Sequence, residues 1–385
     1  MRRLITFLLS ACAALTLHGA APAQAPQAAQ PHALATLAAG LEHPWSLAFL
    51  PDGRMLVTER PGRLLLIQPG RAPVRVAGTP PVFARKQSGL LEVSLHPRFA
   101  QNRLVYLSYV HGTPQANALR LARARLDGDR LTDLRVIFQG PSKGTPVNAG
   151  GRLVWLPDET LVLSVGDGWD YREQAQRPGA LLGKLVRLTD DGAVPPDNPF
   201  VGHAGAKPQI WSLGHRHAQG LAYDPVNRRL YAHEHGPRGG DEINVIQRAG
   251  NYGWPVATYG RDYSGAVITP FQHRPGLIDP VLHWTPSIAP SGLAVYRGAL
   301  FPQWRGDLLV TTLAGRHLRR VDLDGAGRVV GQEVLLADLN VRLRDVRVGP
   351  EGAVYLLTDE PKGRLLRLTP GADRPRVLAR APDRR

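Results

Sequence analysis

Three arginines stand beside residues that shape turns: Arg216 in Gly214-His215-Arg216-His217, and Arg342 and Arg344 in Arg342-Leu343-Arg344. A guanidinium fork pairs bidentately with a carboxylate or a phosphate. If these arginines share one site, they repel each other unless an anion lies between them. Together they point to a rigid, multiply charged anionic ligand. A second segment, His233-Glu234-His235-Gly236-Pro237-Arg238-Gly239-Gly240-Asp241-Glu242, combines glycines, carboxylates and alternating histidines. Its glycines allow tight turns that expose carbonyl oxygens. Carbonyls and carboxylates suit a hard cation such as Ca²⁺, although no DxDxDG-type loop is present. The alternating pairs His215/His217 and His233/His235 also allow a transition metal, but no third ligand is evident.

These residues need elements that bring them together, and a repeating unit supplies them. An apolar segment leads into a turn, usually Pro-centred, and a second strand follows. The copies begin with Trp45–Leu50 and Arg54–Thr58, then Leu90–Leu95 and Leu104–Tyr109. They continue with Arg152–Leu156 and Thr160–Val165, then Gly220–Tyr223 and Arg229–His233. Gly292–Tyr296 with Asp307–Thr312, and Leu343–Val348 with Ala353–Thr358, complete the series. Third strands are visible at Arg63–Ile67, Lys184–Leu188 and Arg364–Leu368. A small antiparallel sheet cannot bury both faces alone. Packing six around an axis does so and leaves only short edges, so the expected fold is all-β, a six-bladed β-propeller. A large β-sandwich is the competing architecture.

In a propeller the first strand of each blade is innermost, and the residues before it converge at one mouth of the central channel. Loops after the second strand open on the same face. The converging residues are Lys86-Gln87-Ser88-Gly89, Val147-Asn148-Ala149-Gly150, His215-Arg216-His217, Thr285-Pro286-Ser287 and Arg342-Leu343-Arg344. They are polar and basic where a purely structural turn would need no such groups.

Composition sets the outer bounds. The formal net charge is +15, mostly from arginine spread along the chain. No run of basic residues with interleaved aromatics occurs, so nucleic acid is not the expected partner. Arg2 and Arg3 precede an apolar run from Leu4 to Leu17, and Ala23-Gln24-Ala25 resembles a cleavage site. Residues 1–25 therefore read as a signal peptide, too short to span a membrane. The lone cysteine, Cys12, lies within it, leaving a mature chain without disulfides; Leu9-Ser10-Ala11-Cys12 also allows a lipid anchor. Residues 26–40 read as a flexible segment, 41–370 as the propeller and 371–385 as a flexible tail. The expected location is periplasmic or secreted.

At the converging residues the chain resembles the glucose/sorbosone dehydrogenase family, in particular its bacterial aldose sugar dehydrogenases. The resemblance runs from about His43 to Leu368. It is carried by Gly214-His215-Arg216, Gln219-Gly220-Leu221, His235 to Asn244, Asn251-Tyr252-Gly253-Trp254-Pro255, Trp284 to Gly292 and Arg342 to Val346. It implies a six-bladed propeller using pyrroloquinoline quinone (PQQ) and calcium to oxidise a sugar at its anomeric hydroxyl. It further implies that Gln87, Arg216, Ser287, Arg342 and Arg344 contact PQQ. The carbonyls of Gly236 and Pro237 would hold the cofactor-bound calcium, and Glu242 and Tyr252 a second one. A periplasmic cytochrome or quinone is the electron acceptor that the resemblance suggests.

Three positions depart from the family pattern. The family's proton-abstracting histidine lies four residues before the arginine of the third copy, where this chain has Asn148. His217 stands where relatives carry asparagine; a swap of roles between the two is one expectation, although His217 and Arg216 should point opposite ways in an extended segment. A cofactor-contacting lysine of some relatives falls at Ala314, and Arg316 is the nearest replacement. Two functions therefore stand side by side: a PQQ-dependent sugar dehydrogenase with Asn148 and Arg216 at its reacting centre, and a propeller that binds PQQ or another anion without oxidising sugar. A calcium-dependent lactonase would need a convergent Glu/Asn/Asp set that the mouth positions lack.

Overall fold

The computed structural model describes residues 32–371; residues 1–25, read above as a signal peptide, and residues 372–385 lie outside them. Six four-stranded antiparallel sheets are arranged as blades. Their innermost strands are Pro44–Phe49, Leu90–Leu95, Gly150–Trp155, Ala218–Asp224, Pro290–Val295 and Leu343–Val348. Each packs on its neighbours, and the last packs on the first, so the ring closes. Among the described residues no helix is long and apolar enough to cross a membrane.

The second strands read as continuous apolar runs because neighbouring blades cover both faces. All five residues of Met55–Glu59, Leu161–Val165, Leu308–Thr312 and Val354–Thr358 are buried. Hydroxyls on these strands stitch one blade to the next. Thr58 Oγ1 donates to the Leu91 carbonyl at 2.6 Å, Ser108 Oγ to Gly151 at 2.5 Å and Ser164 Oγ to Ala218 at 3.1 Å.

Those carbonyls need partners because the register shifts near the mouth end of every innermost strand. The shifts fall between Pro44 and Ser46, Leu90 and Val93, Gly150 and Leu153, Ala218 and Gly220, Pro290 and Gly292, and Leu343 and Asp345. A bulge leaves a residue outside the ladder and re-aims its side chain. The residues so released include Trp45, Glu92, Arg152, Gln219, Ser291 and Arg344. Repetition of one backbone irregularity thus turns polar groups from all six blades towards the axis.

Arg152 shows what this achieves. Its guanidinium lies 3.9 Å from the Trp45 ring centroid. It pairs with Glu92 at 3.0 Å and Asp345 at 2.9 Å. It also donates to the carbonyls of Gln219 (2.7 Å), Ser291 (2.6 Å) and Arg344 (3.2 Å). One buried side chain therefore touches every other blade. Arg347 completes the charge balance by pairing with Asp345 at 2.9 Å and with Glu92.

The sixth blade differs from the expected segmentation. Residues 32–40, read above as flexible, belong to the strand His32–Leu41, which pairs with Gly363–Pro370 as the outer strand of that blade. Among the described residues, the first strand therefore latches onto the last.

Candidate active site

Two cavities open at the mouth. The axial one, about 120 Å³, is lined by Arg60, Gln87, His217, Gln219, Arg342, Arg344 and Asp359, with Trp45 and His235 behind them. Arg344 pairs with Asp359 at 2.7 Å and Arg342 reaches the same carboxylate at 3.5 Å. Burial pushes the Asp359 carboxyl up, but Arg344, Arg342 and Arg60 outweigh it and hold the group well below the usual carboxylate range. Arg60 is lowered by burial first and then by Arg344 and Arg342, against the pull of Asp359. One carboxylate thus faces three guanidinium groups. The buried Nε of Arg344 has no hydrogen-bond partner. A buried, unpartnered charged donor is costly, and three guanidinium groups facing one carboxylate leave positive charge that a planar polyanion in this cavity would balance. The residues fit such a ligand.

The lateral cavity, about 320 Å³, is lined by Asn148, Asp167, Trp169, Arg216, Pro237, Trp254 and Tyr263 among others. Gln87 Oε1 accepts from the Asn148 backbone N–H at 3.0 Å, so the two cavities share a wall. Asn148 has φ +50°, a left-handed conformation that Asn, Asp and His tolerate best. Its side-chain amide donates to Asp167 at 2.9 Å. The Arg216 guanidinium sits 5.4 Å from the Trp254 ring and 5.7 Å from Trp169. Trp169 stacks on Tyr263 at 5.3 Å, and both rings are largely exposed at the rim. Exposed stacked aromatics give a face suited to the C–H surface of a sugar ring.

Arg216 and His217 do point to different cavities, as extended backbone requires. His217 is buried, with Nε2 3.0 Å from the Gln219 amide and Nδ1 unpartnered. Burial first, then His235, Arg216, Arg344 and Lys143, hold its pKa well below the ordinary histidine value. Its ring opens on the axial cavity, whereas Asn148 lines the lateral one.

The 233–242 loop is organised by Asp241. Its Oδ1 accepts from the Gly236 N–H at 2.9 Å. Its Oδ2 accepts from Ser287 Oγ at 2.6 Å and from the N–H groups of Ile288 and Ala289, each at 2.8 Å. The Ser287 hydroxyl is therefore engaged in joining two mouth loops and lies outside the lining of either cavity. Gly236 must be glycine, because a Cβ there would lie 2.1 Å from the Gly239 carbonyl oxygen. The Gly236 carbonyl accepts from Arg216 at 2.9 Å, and Pro237 lines the lateral cavity.

Behind them a void of about 10 Å³ is lined by Glu234, Glu242 and Tyr252. Burial, followed by the Glu234 charge, raises the Glu242 pKa well above its ordinary value. The Tyr252 phenol is engaged with the Val245 carbonyl and the Gln247 N–H, both at 2.7 Å. A buried Glu234 and a partly buried Glu242 on one void favour a cation between them, although among the described residues no cluster of three or more His, Cys, Asp or Glu side chains forms. The histidine pairs do not gather into a metal site: His215 pairs with Glu234 at 2.9 Å, His235 bonds the Pro290 carbonyl at 2.7 Å, and both ring nitrogens of His233 are unpartnered. Arg316 is exposed and bonds Asn340 at 3.2 Å, away from the axial lining.

Sequence reading missed Arg60, Asp167 and Asp359, and gave Glu234 no role of its own. Arg60, Asp167 and Asp359 follow second strands and Glu234 ends one, at the places where loops open on the mouth. Glu59-Arg60, Gly166-Asp167, His233-Glu234 and Thr358-Asp359 carried that signal.

Comparison with known proteins agrees with this geometry. The family described as Glucose / Sorbosone dehydrogenase matches residues 41–367. An aldose sugar dehydrogenase of Escherichia coli is 43% identical over 338 residues, spanning 86% of this chain and 91% of the relative. A crystal structure of a glucose dehydrogenase superposes with a TM-score of 0.85 at 45% identity, covering 87% of this chain and 99% of that one. The PQQ-bound aldose sugar dehydrogenase of Streptomyces coelicolor gives 0.72 at 29% identity, covering 88% and 100%. With its six blades, its cationic mouth and this extent of similarity, the chain belongs to the glucose/sorbosone dehydrogenase family.

Proposed function

We propose that this protein is a PQQ-dependent, calcium-assisted dehydrogenase that oxidises an aldose at its anomeric hydroxyl. The observation that carries the reading is the axial cavity, where three guanidinium groups share Asp359 and Arg344 Nε lacks a partner. PQQ carries three carboxylates, and its quinone supplies the two-electron acceptor chemistry when bound. Arg60, Arg342 and Arg344 would hold the carboxylates, and Gln87 and Gln219 would add neutral hydrogen bonds. Arg216, held against Trp254 and the Gly236 carbonyl, would stabilise negative charge that develops beside it. The carbonyls of Gly236 and Pro237 would hold one calcium, and the Glu234/Glu242 void a second. The Trp169–Tyr263 rim would receive the sugar. The apolar, positively flanked amino terminus supports export.

Binding of PQQ without sugar oxidation is the second reading, favoured by Asn148 in place of the family's histidine. Purified protein loaded with PQQ and Ca²⁺ is assayed by dye reduction with several aldoses, beside Asn148→His. The left-handed backbone at position 148 accepts histidine, and its imidazole would lie beside Asp167. The variant is expected to raise kcat by roughly 10-fold or more, since a base with pKa near the assay pH transfers protons most effectively. Holo-protein that forms in both forms without turnover in either establishes the binding reading instead. If no PQQ complex forms, both readings fail.

The calcium assignment has its own check. At about a hundredfold excess over its Kd, Ca²⁺ is expected to stabilise the PQQ-free protein by about 2.7 kcal/mol. Glu242→Gln should largely remove that response, while raising the melting temperature measured in chelator. An unchanged calcium response in Glu242→Gln excludes this void as the binding site.

A further inference from the structure

We propose that Asp167 is the general base of this enzyme, with Asn148 acting as its positioning residue. The inference rests on the dehydrogenase reading and deepens it. Asp167 lies in Gly166-Asp167-Gly168, directly after the second strand of the third blade, and lines the lateral cavity with Arg216 and Trp169. Three donors fix its carboxylate. Asn148 Nδ2 and the Trp169 N–H both donate to Oδ1 at 2.9 Å, and Trp254 Nε1 donates to Oδ2 at 2.8 Å. A carboxylate offers about four acceptor positions, so Oδ2 keeps one for a substrate hydroxyl.

No other group in this cavity suits the task. Asn148 does not titrate, and His217 opens on the axial cavity. Asp170 and Asp262 also line the lateral cavity, but Asp170 is exposed and Asp262 is half-exposed and bonded to Ser264. Asp167 is only 1% exposed. Burial raises its pKa, opposed by Arg216 and by its three donors, so the net direction is upward towards useful basicity. The charged groups facing it are Arg216 on the entry to the fourth blade, Lys143 beneath the 145–148 loop, and Arg172, Asp170 and Asp262 around the cavity.

The step balances as follows. The anomeric O–H bond breaks and its proton passes to Asp167, which becomes a neutral carboxyl. The C1–H bond breaks with its electron pair, and the hydride leaves to a quinone oxidant. The C–O bond becomes C=O, so the sugar is oxidised by two electrons and the quinone is reduced by two. Asp167 then returns its proton to solvent.

The test compares wild type, Asp167→Asn and Asn148→Ala, and reads turnover, PQQ binding by absorbance titration, and carboxyl infrared bands of PQQ-free protein against pH. Asp167→Asn is expected to lose about 10²–10⁴ in kcat with PQQ affinity unchanged. Wild type should show a carboxyl band titrating above the ordinary aspartate range, and that band should vanish in Asp167→Asn. Asn148→Ala removes a donor to the charged form, so both the band and the acidic limb of kcat/KM should move to higher pH; a merely structural Asn148 would leave them in place. Turnover retained by Asp167→Asn, absence of the high-titrating band in wild type, or loss of PQQ binding in Asp167→Asn would overturn the assignment while leaving the dehydrogenase reading intact. Wild type that binds PQQ but oxidises no aldose would overturn the dehydrogenase reading and this assignment with it.

Discussion

Arg344→Ala is expected to weaken PQQ binding by roughly 30- to several-thousand-fold. Truncating one partner of a buried, hydrogen-bonded charge pair costs about 2–5 kcal/mol, and each 1.4 kcal/mol is about tenfold. The side chain is 9% exposed, faces Asp359 at 2.7 Å and lines the axial cavity. Its removal takes away both a fork for a carboxylate and part of the field that keeps Asp359 ionised. Arg344→Lys keeps the charge but loses the fork geometry, so it should fall between the two. Arg316→Ala is the contrasting variant. Arg316 is exposed and bonds Asn340, so PQQ affinity should not change. The check is an absorbance titration of each variant with PQQ. Equal affinity of Arg344→Ala and wild type would remove the axial cavity as the cofactor site.

The largest effect on stability is expected at Arg152. Arg152→Ala leaves Glu92 and Asp345 buried with only Arg347 between them, and strips donors from three carbonyls. Breaking a buried ion pair by removing one partner costs about 3–5 kcal/mol. For a folded unit of this size the melting temperature should drop by roughly 1–2 °C per kcal/mol, measured by calorimetry on the PQQ-free protein. Arg54→Ala removes an exposed pair with Asp52 and should leave the melting temperature almost unchanged. Similar effects from both would contradict the role of Arg152 as the hub of the ring.

Much of this architecture was legible in the sequence, and the exceptions have physical causes. Six apolar–turn–apolar units marked the inner and second strands because those strands carry the continuous core pattern. Outer strands such as Val74–Val76 are short and mostly exposed, so they carry little apolar signal. The strand His32–Leu41 is rich in alanine and alternates only loosely between buried and exposed. Its place depends on a partner more than three hundred residues away, which local pattern cannot report. Arg216, Arg342 and Arg344 were legible because they precede or open first strands. Their counter-charge, Asp359, and the carboxylate Asp167 follow second strands of different blades, and Glu234 ends another. They become neighbours of the arginines and of Asn148 only when the ring closes. Ser287 and Arg316 show the opposite limit: residue type and position suggested cofactor contacts, but Ser287 is spent on Asp241 and Arg316 on Asn340.

The pairing of His32–Leu41 with Gly363–Pro370 sets the timing of assembly. The earliest strand to be synthesised waits for one of the last, so the sixth blade stays incomplete, and the ring unsealed, until nearly the whole chain is made. Closing so long a loop is slow, and the unpaired edges exposed meanwhile invite pairing with other chains. A chain cut short after Thr358 would present that hazard permanently, because the strand that receives the latch would be missing.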